Sequence, residues 1–270
     1  MAEHGIDARP LAGGQSLVPL INMRMAQPAV LVDLNRCSEL AYLREEDGVL
    51  ACGPMIRQRE LELSPLVRRH CPLIAEAMPH MGHATIRNRG TAGGSLSHAD
   101  PSAELPGVAL AMDAEMVAEG PNGRRNIPVA EFFFAELTTA LAADEVLREI
   151  RFPKANSHTV AAFAEVGSHF GGLAIVGVAA QVERDTAGRC TKVVLAATGA
   201  GERPTRLPSA ESILTGEALE ERTIMAAAEA AASDVDPLED LHASAHWRRR
   251  AAVAMVAQAL RQIAAGVHSR

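Results

Sequence analysis

Two stretches of this 270-residue chain have the makeup of an anion-binding site. "PLAGGQSLVP" runs from Pro10 to Pro19 and "GTAGGSLSHADP" from Gly90 to Pro101, and in each an Ala-Gly-Gly core has a serine close behind it. Glycine reaches positive φ and carries nothing that blocks an approaching group, so such a turn exposes consecutive backbone N–H groups toward one anion. The serine adds a hydroxyl donor. One turn of this kind is ordinary loop chemistry. Two of them match the two sides of a diphosphate, and a clamp drawn from separate segments makes a sensible dinucleotide site.

Other chemistries find less support. There is no G-x-x-x-x-G-K-[ST] loop and no G-x-S-x-G elbow. "VVLAATGAGERP" (Val193 to Pro204) starts like a strand followed by G-x-G, but Pro204 stands where a third glycine belongs, so it reads as a strand end with a glycine turn. His80, His83 and His98 cluster around the second turn, yet a zinc site needs three or four converging ligands, and no metal is expected. No general acid or base is assigned. Cys37, Cys52, Cys71 and Cys190 are scattered, without a C-x-x-C pair, and read as small apolar residues; the chain carries no iron–sulfur signature of its own.

Composition narrows the class further. Hydrophobic residues make up 48% and charged residues 22%, the profile of a globular protein with room for two or three small domains. Net charge is −7 and the longest basic run is Arg248 to Arg250, which argues against nucleic acid. No apolar run reaches membrane-spanning length, and "MAEHGIDARP" lacks the features of a signal peptide, so a cytoplasmic location is expected.

The elements that must position the turns follow from periodicity. "AVLVDLNR" and "GVLACGPM" read as strands, with "SELAYLREED" between them as a helical turn or connector. Helices are predicted near 58–63, 65–70 and 72–81, with Ser64 as N-cap before Pro65. "LPGVALAMDAEMVAEG" starts helical and becomes a strand that ends at the "GPNG" hairpin signal, with "RRNIPVAEFF" returning. Asp100 is placed to cap the helix after it. "EVLREIRFPK" is a further strand, and the polar 155–159 stretch is the candidate linker. Three strands then form a meander turning at "DTAGR", and two long helical stretches close the chain. Strands followed by helices argue for α+β.

At the two turns the sequence resembles a known family. "ARPLAGGQSLVPLINMRMAQPAVLVDLNR" and "MGHATIRNRGTAGGSLSHADPSAELPGVALAMDAEM" look like the two FAD-binding motifs of the flavoprotein, or medium, subunits of molybdenum hydroxylases, a group that includes carbon monoxide dehydrogenases. "GEALEERTIMAAAEAAA" and "SAHWRRRAAVAMVAQAL" resemble the family's C-terminal helices. The resemblance implies an α+β protein. A two-subdomain FAD-binding domain of the vanillyl-alcohol-oxidase (PCMH) type would span 1–154, divided near 52/53. A smaller domain at 158–266 would hold a three-stranded antiparallel sheet with helices. It also implies that a strand and a helix preceding "AEHG" in relatives are missing here.

Carried over residue by residue, Ala12, Gly13, Gly14, Gln15, Ser16 and Leu17 would hold the FAD diphosphate from one side. Thr91, Gly93, Gly94 and Ser95 would hold it from the other, with Arg89 and Gly90 at the same turn. Asp100 would bind a hydroxyl of the flavin's sugar-like chain. Ahead of the "LVGVAA"-like strand this chain departs from the family: Ser168 and His169 occupy its basic positions and Gly172 the place of its aspartate. His169 and Phe170 are the candidates facing the flavin ring. The implied role is an electron-transfer subunit passing electrons from a small [2Fe–2S] subunit through FAD to an external acceptor. A large subunit would carry molybdenum–pterin, the whole forming a dimer of heterotrimers. A stand-alone flavin-dependent reductase and a scaffold subunit without FAD are the alternatives.

Overall fold

The structure is a computed structural model that describes residues 3–169 and 171–266. It opens with β1 (Ala8–Leu11), which pairs in parallel with β2 (Val30–Asp33) across the short helix α1 (Leu17–Asn22). Parallel neighbours need such a crossover, and it is this crossover that carries the first glycine turn. "SELAYLREED" holds a single 3-10 turn at Ser38–Leu40 and a three-residue strand, β3 (Leu43–Glu45), beside β4 (Val49–Cys52).

Three helices follow where the prolines punctuate them: α2 (Gln58–Leu63), α3 (Pro65–His70) and α4 (Pro72–Ala77), the last continued by a 3-10 turn at Met78–His80. The Ser64 hydroxyl accepts from the Val67 N–H at 3.4 Å, capping α3 as its position before Pro65 suggests. Then come α5 (Ala84–Arg87), α6 (Ala92–His98) and α7 (Glu104–Ala111).

The hairpin of β5 (Glu115–Gly120) and β6 (Gly123–Pro128), the short pair β7 (Phe133–Ala135) and β8 (Thr138–Thr139), and β9 (Val146–Pro153) complete the first part. The five-stranded antiparallel sheet runs β3-β4-β9-β5-β6. "RRNIPVAEFF" is thus a strand only to Pro128, where a 3-10 turn at Val129–Glu131 breaks it.

The second part is the expected meander, β10 (Thr159–Gly167), β11 (Ala174–Arg184) and β12 (Cys190–Thr198), with a two-residue β13 (Thr205–Arg206) adding a fourth edge. Its helices are α8 (Pro208–Leu214), α9 (Glu221–Ala230) and α10 (Ala245–Ala265). Side chains along a strand alternate between faces, and here both faces are covered. Ala161, Phe163, Ala179 and Ala196 join the core of the first part, against α4 and α7. Ala162, Ala164, Val178 and Ala180 join a second core with α8, α9 and α10. α7 is sandwiched so completely that all eight of its residues are buried. That burial governs the one acid it carries, Glu104.

Candidate functional site

The first turn sits where β1 ends. Gly14 has φ +75° and Gly13 lies against the second turn: a β-carbon on Gly13 would stand 2.3 Å from the Arg89 carbonyl oxygen and 2.8 Å from the Gly90 Cα. Both are backbone atoms that cannot swing aside, so only glycine lets the segments meet. Ala12 also lies against the second turn, its β-carbon at ordinary contact distance, 3.5 Å, from where one on Gly94 would be. The turns eighty positions apart in sequence are therefore in contact.

A polar brace holds them. Asn35, just after β2, donates from Nδ2 to the Ala12 carbonyl at 2.9 Å and to Asp33 Oδ1 at 2.6 Å. Asp33 also accepts the Asn35 amide, and these bonds hold its carboxyl below the usual carboxylate range. Arg57 then bridges both segments, donating from Nη2 to Asn35 Oδ1 at 2.8 Å and from Nη1 to the Arg89 carbonyl at 2.6 Å. Neither Asn35 nor Arg57 follows from the turn motifs. Asn35 ends the "AVLVDLN" strand and Arg57 begins a helix, and only the fold brings them to the glycines.

The two turns differ in what they leave open. In the second, the amides are engaged: Gly90 to Ile86, Ala92 to Ile56, Gly93 to Pro54, Gly94 to the Thr91 hydroxyl and Ser95 to the Thr91 carbonyl. Pro54 crowds Gly93, leaving 2.2 Å for a β-carbon, so Gly93 serves the seam between α6 and the 54–58 strip. In the first turn, no acceptor among the described residues takes the amides of Gly13, Gly14, Gln15 or Ser16. The expected pair of amide-rich loops is thus asymmetric: the first offers a row of N–H donors, and the second closes the wall. Ser16, the last of this row, is the N-cap residue of α1, which starts at Leu17.

A cleft of about 370 Å³ opens over the first turn, lined by Ala12, Gly13, Gly14, Gln15, Asn35 and Arg89 among others. Arg89 lines the same cleft as the row of amides, and its charge reaches the Asp33 carboxylate. That is the chemistry of a phosphate site.

Asp100 behaves differently from expectation. Its Oδ1 accepts from the Ser102 N–H at 2.8 Å in a local turn, while α7 starts at Glu104 behind Ala103 with no side-chain cap. The acid that stands out is Glu104, 5% exposed, with Oε1 buried and unpartnered among the described residues. Burial, reinforced by the charges of Glu165 and Asp100, pushes its carboxyl up to about 8 against a bond from its own backbone.

Glu165 and Thr198 flank Gly177 across β10, β11 and β12, and Glu165 Oε2 and Thr198 Oγ1 are also buried without hydrogen-bond partners among the described residues. Glu165 Oε1 meets His80 Nδ1 at 3.2 Å, and the His80 ring packs on Phe163. Burial lowers the His98 pKa, partly offset by Asp100. Glu104 was missed because nothing local marks an acid as desolvated. An acid opening a helix reads as dipole stabilisation.

His169 pairs with the Ser168 hydroxyl at 2.9 Å and curls back over Gly172, so its contacts are within its own loop. Its neighbour Gly171 reaches the first part, packing against the His83 ring. Phe170 lies outside the described residues. Cys52, Cys71 and Cys190 are buried and Cys37 is half-buried, all four as free thiols. No helix among the described residues is long and apolar enough to cross a membrane.

Comparison with known proteins matches this arrangement from end to end. Residues 1–155 match the family described as the FAD binding domain in molybdopterin dehydrogenase, and residues 161–263 match the CO dehydrogenase flavoprotein C-terminal domain. The chain is 39% identical to the 6-hydroxypseudooxynicotine dehydrogenase complex subunit alpha of Paenarthrobacter nicotinovorans, over 96% of this chain and 88% of that one. It is 36% identical to the carbon monoxide dehydrogenase medium chain of Hydrogenophaga pseudoflava, over 96% and 90%. A solved structure of the Hydrogenophaga pseudoflava carbon monoxide dehydrogenase, in a form lacking the Mo-pyranopterin moiety, superposes with a TM-score of 0.94. That match covers 98% of this chain and 92% of the other at 37% identity.

Proposed function

The chain belongs to the FAD-binding family of molybdopterin dehydrogenases, as a medium-type subunit of FAD-dependent oxidoreductases, and from that premise we propose that it relays electrons through FAD held between its two glycine turns. The observation that carries this reading is the closed contact of Gly13 on Arg89–Gly90, with Arg89 and the first turn, whose amides have no acceptor among the described residues, lining one cleft.

The residues fit the cofactor. A diphosphate needs donors and a cation, which Gly13, Gly14, Gln15, Ser16 and Arg89 supply; Ala12 and Leu17 flank that row. The second motif, with Gly90, Thr91, Gly93, Gly94 and Ser95, forms the opposite wall, with the Ser95 hydroxyl as a further donor. Asp100 is proposed to bind a hydroxyl of the flavin's sugar-like chain, since the single N–H that its Oδ1 accepts leaves its carboxylate with further acceptor sites. Bound FAD supplies the redox chemistry, accepting electrons singly and releasing them singly or in pairs. The chain's own part is to bind, orient and electrostatically tune it.

Electrons would arrive from a small iron–sulfur partner, fed by a large molybdenum-bearing partner, and leave to an external acceptor. The assembly would be a dimer of such heterotrimers, in the cytoplasm. The free, scattered cysteines agree with clusters carried on another chain. The domain division at 154/158 assigns the turns to one part and the sheet covering α7 to the other. His169 and Phe170 are proposed at the ring side.

The test is direct. The full-length chain, purified with its partners, should show flavin absorption bands and release FAD on denaturation, and the flavin should bleach when the partner's clusters are reduced. A colourless chain that takes up no FAD from excess would overturn the reading.

The brace makes its own prediction. Arg57→Met removes two charged hydrogen bonds that join the turns, while leaving the cleft's donors in place. FAD affinity is expected to fall roughly tenfold with thermal unfolding shifted by only a few degrees. Unchanged affinity in a fluorescence titration would show that the turns stay closed without it.

A further inference from the structure

Arg248 is only 5% exposed and lies in the first turn of α10, where a cation opposes the helix dipole. Helix stability therefore does not explain it. Its Nη1 donates to the carbonyls of Ile175 at 2.6 Å and Gly199 at 3.0 Å, and its Nη2 pairs with Asp240 Oδ2 at 2.6 Å. Asp240 is fixed in turn: although desolvation pushes its carboxyl up, Arg248 and the amides of Ala243 and His242 hold it down to about 2. Of the two residues, Gly199 bonds the first part of the molecule directly. Gly199 donates its N–H to the Pro101 carbonyl at 2.7 Å, directly after Asp100 in the second motif. Ile175 follows the segment in which Gly171 packs on His83.

We propose that Arg248 is a positioning residue for the FAD site, acting from α10 through the Gly199 and Ile175 carbonyls on Pro101 and on the base of the segment that meets His83. This rests on the FAD reading above. A buried guanidinium that bonds two carbonyls and one carboxylate is directional and rigid. It locks the end of β12 to the start of β11, and the Gly199–Pro101 bond passes that placement to the motif's wall. The geometry assigns part of the flavin's positioning to a residue far from the cofactor motifs in sequence and in the other domain.

The experiment uses the full chain. Arg248→Met is compared with Arg248→Lys and with Arg249→Met, a neighbour on α10 that loses a bond to the Val235 carbonyl and an ion pair with Asp236 but has no bond to the motif among the described residues. In flavin-free protein, Arg248→Met should speed hydrogen exchange in the peptide containing the Gly199 amide about tenfold. With FAD added, it should weaken binding roughly tenfold and change the visible circular dichroism of the flavin. Arg248→Lys, which keeps the charge and part of the bonding, should recover part of both, and Arg249→Met should change neither.

If Arg248→Met does not fold, Asp240→Asn takes its place, with the same directions and a smaller effect. Native exchange at Gly199 together with wild-type FAD affinity and flavin dichroism in these variants would overturn the proposal. A wild-type chain that binds no FAD would instead overturn the function on which it rests, and the exchange measurement, made without FAD, separates the two failures.

Discussion

Replacing Gly13 with valine should give a folded but colourless chain. The β-carbon alone would sit 2.3 Å from the Arg89 carbonyl oxygen and 2.8 Å from the Gly90 Cα. Ordinary contact requires the turns to part by about 1 Å, and a shift of that size in a binding constellation costs on the order of 100-fold. The damage is local. Gly13 lies at the β1–α1 corner, outside the cores that hold the two sheets, so the overpacking penalty of about 1–3 kcal/mol falls on the cleft. The flavin-to-protein absorbance ratio and an FAD titration measure it, with thermal unfolding as the control. Because the obstacle is the β-carbon, alanine should fail in the same direction. A Gly13→Val chain that purifies with wild-type flavin content would mean that the turns do not need their contact. Bulky residues at Gly93 should also lose the flavin, by a different route: they collide with Pro54 and destabilise α6 itself.

The second large effect is the pH dependence of Glu104→Gln. In the folded chain burial first, and then Glu165 and Asp100, raise the Glu104 pKa from its ordinary 4.5 to about 8. Below pH 4.5 both folded and unfolded chains carry the proton, and Glu104 costs nothing. Between 4.5 and 8 the unfolded chain releases the proton while the folded chain retains it, so stability falls as pH rises, and above 8 the loss is complete. Its upper bound is about 5 kcal/mol. Glutamine mimics the neutral acid and does not titrate. Relative to the wild type, Glu104→Gln should therefore gain several degrees of thermal stability between pH 5 and pH 9. The groups around it, Asp100, Glu165 with its His80 partner, and His98, are common to both proteins, so the difference isolates Glu104. Parallel stability–pH curves would show that Glu104 ionises normally in the folded chain.

Much of this protein was legible in its sequence because the relevant physics is local. Ser64 and Pro65 announce a helix start, Pro72 another, and alternating apolar residues announce β9 to β12, since φ, ψ and side-chain direction depend on near neighbours. The two Ala-Gly-Gly turns were legible for the same reason, as backbone with nothing in the way. Tertiary structure decided which groups in those turns remain free to act. The second turn's amides go to Pro54, Ile56, Ile86 and Thr91, leaving the donor row on the first turn alone. Asn35, Arg57 and Arg248 acquire their roles from carbonyls 23, 32 and 49 positions away. The Glu104 carboxyl is pushed up because a sheet from the other end of the chain covers α7. Desolvation and hydrogen-bond completion depend on contacts between distant segments, and no pattern of neighbouring residues encodes them.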